Sequence, residues 1–150
     1  MQISSRFTIA IHILVAIDYF SKEQKITSDF LAGSIQVNPV VVRRILGQLK
    51  AADLVQVKRG NGGASLNRPL EDISFYDVYL AVECVEGGTL FHFHENPNPA
   101  CPVGRNLHSA LDQKLESVQE AMEQQLRELS VAEVATDARR MIQKETTGEG

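Results

Sequence analysis

The run Val55-Gln56-Val57-Lys58-Arg59-Gly60-Asn61-Gly62-Gly63-Ala64-Ser65-Leu66 is the strongest constraint on what this chain can fold into. Here the hydropathy pattern shifts to period two, the period of a strand. Asn61-Gly62 supplies the positive φ angles that a tight primed turn demands, and the flanking glycines let the tip approach another backbone closely. The run predicts a β-hairpin with a basic tip. A phosphate-cradling dinucleotide loop is the rival reading of so many glycines. It fails because Ser65 stands where the third glycine of GxGxxG belongs, and because the run joins strand to strand.

Upstream of the hairpin the pattern is helical. From about Ser4 to Phe20, Phe7, Ala10, Ile11, Leu14 and Ile17 follow helical spacing, and Ile9, Ile13 and Val15 add apolar surface on other sides, so this helix is expected to be buried nearly all round. Thr27 or Ser28 is the N-cap of a second helix of about two turns holding Phe30, Leu31 and Ile35. Asn38-Pro39 opens a third, because asparagine caps well and proline loses nothing at a first helical position whose N–H has no acceptor. Its stripe Val42, Ile45, Leu46, Leu49 and Ala52 faces the core and leaves Val40, Val41, Arg43, Arg44, Gln48 and Lys50 outward.

Helix, short helix, capped basic helix and basic hairpin, in that order, make a winged helix-turn-helix. Charge agrees: residues 1–69 carry nine Lys/Arg against four Asp/Glu, or +5, while residues 70–150 carry six against fifteen, or −9, which together return the net −4. The acidic total conceals a basic surface suited to a polyanion. An α-helix fits the major groove and a basic hairpin reaches the phosphates or minor groove beside it. Asn38, Val40, Val41, Arg43 and Arg44 are therefore candidates for base edges or nearby phosphates. Thr27, Ser28, Lys50 and Lys58 would hold the DNA backbone, Arg59 would enter the minor groove, and Asn61 lies at the wing tip beside it.

These residues resemble the Rrf-two family of small bacterial winged-helix regulators. The likeness rests on Ser4-Ser5-Arg6-Phe7, Val42-Arg43-Arg44-Ile45-Leu46-Gly47-Gln48-Leu49, Ala52-Asp53-Leu54-Val55, the wing Arg59 to Ala64, Ile73-Ser74-Phe75-Tyr76-Asp77-Val78, and Leu129-Ser130-Val131-Ala132-Glu133-Val134. It spans almost the whole chain. The expected fold is mostly α (α+β), a winged helix-turn-helix with a small β-hairpin wing and a long C-terminal dimerisation helix.

That helix has its own physical argument. Leu107, Leu111, Leu115, Val118, Met122, Leu126 and Leu129 are spaced 4, 4, 3, 4, 4 and 3. Eleven residues make three helical turns, so the stripe stays on one side of a nearly straight helix. The other side is strongly polar. At about 24 residues, roughly 36 Å, the helix overreaches a domain of 70 residues, so a second copy of the chain is expected to cover it. The resemblance implies a homodimer likewise, which would present two reading heads to a near-palindromic operator in double-stranded DNA.

The resemblance places an effector site between Cys84 and His108. Cluster-binding relatives carry three closely spaced cysteines there, whereas this chain has Cys84 and Cys101 in all, with His92, His94 and His108 nearby. Two thiolates fall short of the usual complement of an iron–sulfur cluster. No cofactor is therefore expected, cluster or otherwise. His92-Phe93-His94 would set two imidazoles on one side of a strand, but the spacing matches no established zinc motif, so no metal site is expected. Cys101 lies near a helix N-terminus and Arg105, which favours its thiolate. A redox switch through Cys101, with Cys84 or across subunits, stands beside a purely structural reading of both thiols. A small effector bound in the same region is a further alternative, and His108 belongs to the regulatory candidates.

There is no nucleophile elbow, Walker loop or HExxH, so no catalytic residue is expected. The start of the sequence lacks a secretory leader and no apolar run approaches a membrane span, which points to the cytoplasm and no membrane partner. The expected organisation is a DNA-binding domain over 1–69, a linker helix and effector loop over 70–104, and a dimerisation helix with a C-terminal packing segment over 105–150. The expected function is that of a sequence-specific regulator, by default a repressor, answering a redox or small-molecule signal. The alternative is a protein-interaction adaptor built on a winged helix without DNA.

Overall fold

A computed structural model describes residues 3–59, 63–82 and 88–148. Helix α1 (Arg6–Phe20) buries Ala10, Ile13, Leu14, Ala16 and Ile17, while Thr8 stays exposed. It is therefore the central helix, on which most of the other elements pack, but not one buried all round, since a strip remains open. Helix α2 (Ser28–Ile35) begins where the Thr27 hydroxyl accepts from the Phe30 N–H at 3.1 Å, and ends at Gln36, whose φ of 62° turns the chain sharply. Helix α3 (Pro39–Ala51) starts with Asn38 Oδ1 accepting from the Val40 N–H at 2.9 Å and Pro39 in the first turn.

Val42, Ile45, Leu46 and Leu49 of α3 are buried, as their spacing predicts, and Ala52 caps the end half-buried. Each such Leu or Ile stabilises the fold by about 1.5–3 kcal/mol relative to an exposed position. Val41 departs from expectation. It lies four residues before the buried Ile45, on the same side of the helix, half-buried and packed against the core, so it is less available to a partner than Val40, which is 53% exposed.

Asp53, at φ 61°, reverses the chain into β1 (Val55–Lys58), which pairs antiparallel with β2 (Gly63–Leu66) so that Val55 faces Leu66 and Lys58 faces Gly63. Asn61, expected at the turn, lies outside the described residues. A single turn of 3₁₀ helix (Leu70–Asp72) leads to α4 (Phe75–Ala81), opened by a capping box in which Ser74 and Asp77 satisfy each other's backbone N–H.

The long helix α5 (Pro102–Glu128) starts five residues before Leu107, the first residue of the apolar stripe, because Pro102 is well suited to the first turn. Cys101 is its N-cap. The expected strand at His92-Phe93-His94 is instead an irregular segment lying along α5, held by Gln119. That side chain donates to Gly88 O at 2.7 Å and accepts from the Leu90 N–H at 3.0 Å. Cys84 falls outside the described residues.

Sequence reasoning left the C-terminal packing segment without a structure, but it is a helix, α6 (Val131–Thr147). The missed signal was a second capping box, Ser130 with Glu133, followed by Val131, Ala135, Ala138 and Ile142 at three- and four-residue steps. α6 folds back on α1, burying Val131 and Ala135. At the joint between α5 and α6, Ser130 bridges Ser74, Phe75 N–H donates to Leu129 O at 2.8 Å, and Val131 N–H donates to Ile73 O at 2.9 Å. No described helix is long and apolar enough to cross a membrane.

Candidate nucleic-acid interface

The loop after Ile26, the exposed side of α3 and the hairpin base meet in one notch. Ala64 N–H donates to Ile26 O at 2.8 Å, which fixes the hairpin against the start of α2. Gly63 makes that approach possible. Its φ is +70°, and a Cβ there would lie 3.0 Å from Ile26 O.

The notch is a cavity of about 380 Å³ lined by Thr27, Ser28, Arg43, Gly47, Lys50 and Lys58, with Val57, Leu46 and Ala64 among its apolar walls. Five residues assigned to DNA from the sequence thus converge although they come from three separate elements. Arg43, Lys50 and Lys58 are exposed, and the ion pairs among the described residues, Arg139 with Asp18 and Arg140 with Asp137, lie on α1 and α6. Among the described residues, therefore, no acid pairs with the notch cations. The start of α2 adds N–H groups without intrahelical acceptors and the positive end of a helix dipole. Such an arrangement favours an anion.

Beyond the notch, Asn38, Val40 and Arg44 are exposed around the start of α3, and Arg59 is exposed where β1 ends. Asn38 Oδ1 is occupied by its cap, which leaves the side-chain NH₂ as the group free to donate. Val41 turns toward the core, as described above.

At the start of α5, Cys101 is half-buried and Arg105 directs Nη1 to Pro99 O at 3.5 Å. The His108 ring lies 3.6 Å, centroid to centroid, from Phe93, and His92, His94 and His108 are all exposed. His108 is thus engaged with an aromatic partner, which the sequence did not foretell. A second unforeseen group is His12, whose Nε2 is 3.0 Å from Ser34 Oγ and whose pKa is lowered by burial. It borders a cavity of about 130 Å³ between α1, α2 and α6, together with Asp18, Tyr19 and Arg139.

The sequence profile of the Rrf2 family, described as an iron-dependent transcriptional regulator, matches residues 3–137. YwnA of Bacillus subtilis (strain 168), named as an HTH-type transcriptional regulator, is 48% identical over 133 residues, covering 89% of this chain and 96% of YwnA. A crystal structure named as that of a DNA-binding protein is 42% identical, with a TM-score of 0.68 over 87% of this chain and 98% of that one. A chain from Lactobacillus plantarum named as a transcriptional regulator shares the fold, with a TM-score of 0.76 over 97% of this chain and 99% of that one, at 22% identity.

The iron in the family's description can be tested against the donors here. The chain has two cysteines, and among the described residues no three His, Cys, Asp or Glu side chains are grouped to hold a metal. With Cys101 at a helix cap and His108 against Phe93, the described donors do not fit an iron–sulfur cluster.

Proposed function

The chain belongs to the Rrf2 family of DNA-binding transcriptional regulators, and is not an enzyme; from that premise we propose that it acts in the cytoplasm as a homodimeric repressor on a near-palindromic operator. The observation that carries this reading is the shared notch of Thr27, Ser28, Arg43, Lys50 and Lys58. In this reading they grip one stretch of DNA backbone while Val40, Arg43 and Arg44 address base edges in the major groove. Asn38 assists from the head of α3, and Arg59, with Asn61 beyond it, reaches the minor groove. Val41 contributes chiefly by packing.

Homodimerisation draws support from α5. None of its 27 residues is fully buried, and Val118 is 53% exposed at the middle of the stripe. Met122 and Leu126 join the core through α4, whereas Leu107, Leu111 and Leu115 do not. A second copy would cover that free half. The proposed organisation keeps residues 1–69 as reading head, 70–104 as linker and effector segment, and 105–150 as dimerisation and packing unit. The signal is read through that middle segment, by oxidation at Cys101 with Cys84 as a candidate partner, or by a small effector near His108.

Footprinting of the purified protein on the DNA upstream of its own coding sequence, with and without diamide, tests the reading. A protected, two-fold symmetric site is expected, lost on oxidation by the wild type and retained by Cys101→Ser. Absence of any footprint at low salt would refute DNA binding, and equal oxidant sensitivity of Cys101→Ser would remove Cys101 from sensing.

A further inference from the structure

Gly47 has no reason inside the protein to be glycine. It lies in the middle of α3, where glycine weakens a helix relative to alanine. A Cβ built on it meets no atom of the described residues within 4 Å, in contrast to Gly63 and Gly104, where a Cβ would come to 3.0 Å from Ile26 O and 2.8 Å from Asn98 O. Alanine would fit, and would favour the helix. What Gly47 does is leave space. Arg43, Gly47 and Lys50 stand at i, i+4 and i+7 on one face of α3, and all three line the notch that Thr27 and Lys58 close from the other sides.

We infer that Gly47 is a positioning residue for DNA: its missing side chain opens the floor of the notch so that one backbone phosphate seats between the start of α2 and the cations of Arg43, Lys50 and Lys58. A methyl group on that floor lifts the phosphate away from donors that need contact within about 3 Å. Helix stability has been traded for fit to the ligand. The inference rests on the DNA-binding reading and extends it to a residue with no polar side chain.

The test compares the full-length wild type with Gly47→Ala and Gly47→Leu, using Gly33→Ala as control. Gly33 is also exposed within a helix and open to a Cβ, but it does not line the notch. Thermal unfolding is measured beside binding to two duplexes, the chain's own upstream DNA and an unrelated sequence, over a range of salt. Both alanine variants are expected to unfold at or above the wild-type temperature. Gly47→Ala is expected to bind both duplexes about tenfold more weakly, the fold-change that goes with losing a charge-assisted hydrogen bond, and to flatten the salt slope by about one. Gly47→Leu is expected to lose more, and Gly33→Ala nothing. Wild-type affinity in Gly47→Ala and Gly47→Leu would overturn the inference while leaving DNA binding intact. A wild type that binds neither duplex at low salt would overturn the DNA reading itself.

Discussion

Ala64 and Ile26 are joined by a 2.8 Å hydrogen bond, from the amide of the first to the carbonyl of the second, so the root of the wing is fixed to the segment that starts α2. Gly63 stands beside that bond at φ +70°, with its α-carbon facing Ile26. Gly63→Ala should cost about 1–3 kcal/mol, from the strained backbone and the displaced contact together. Urea denaturation measures it, and an alanine variant as stable as wild type would show that the wing root is not held this way.

Arg59 and Lys50 should fail differently on DNA. Arg59→Ala is expected to weaken operator binding by about 1–3 kcal/mol while sparing unrelated duplexes, because groove reading depends on sequence. Lys50→Ala should weaken every duplex alike and reduce the salt slope by about one. Fluorescence anisotropy titrations at several salt concentrations separate the two. If both variants lose affinity in parallel, Arg59 is another backbone contact.

The free half of α5 should carry the association between copies. Leu111→Glu and Val118→Glu place a charge on the uncovered stripe without disturbing Met122 and Leu126, which belong to the core of the single chain. Sedimentation velocity should show wild-type dimers and monomeric variants with an unchanged circular dichroism spectrum. Dimers that persist in both variants would place the interface elsewhere.

His12 predicts how stability depends on pH. Burial lowers its pKa below the ordinary 6.5, so the unfolded chain takes up a proton at a pH where the folded chain resists it. The contribution is fully present above pH 6.5 and declines as the pH falls through the folded value. Asp18 and Arg139, which border the same cavity, form an ion pair of 2.8 Å with each other. Thermal midpoints between pH 8 and pH 5 should fall less steeply in His12→Gln than in the wild type; identical slopes would mean that His12 does not sense folding.

Arg139 also lies 5.2 Å over the Tyr19 ring, so it contacts α1 twice. Both partners of its ion pair are largely solvated, at 48% and 34% side-chain exposure, and exposed pairs contribute little. Arg139→Ala should therefore cost no more than about 1 kcal/mol in chemical denaturation. A larger loss would mean that the arginine shields the apolar cavity beneath it.

The parts of the fold that rest on local chemistry were readable in the chain itself. Asn38-Pro39 announced α3, Thr27 or Ser28 announced α2, and the glycines after Arg59 announced the hairpin, because caps and turns are satisfied within a few residues. Val41 was misjudged because the width of a helix's buried face depends on what packs against it. The strand expected at His92 to His94 failed for a similar reason, since alternation makes a strand only where a partner edge exists. Convergence of Thr27, Lys50 and Lys58 on one cavity, and the seat of Gly47 between them, arise from tertiary packing and have no local signature.

The paired backbone hydrogen bonds around Ser74 and Ser130 tie the foot of α5 to the entrance of α4 at a single crossing. The reading head and the spine therefore share a fulcrum. In the proposed dimer, the angle at this crossing would set the separation of the two heads along a duplex and leave the chemistry of each grip untouched.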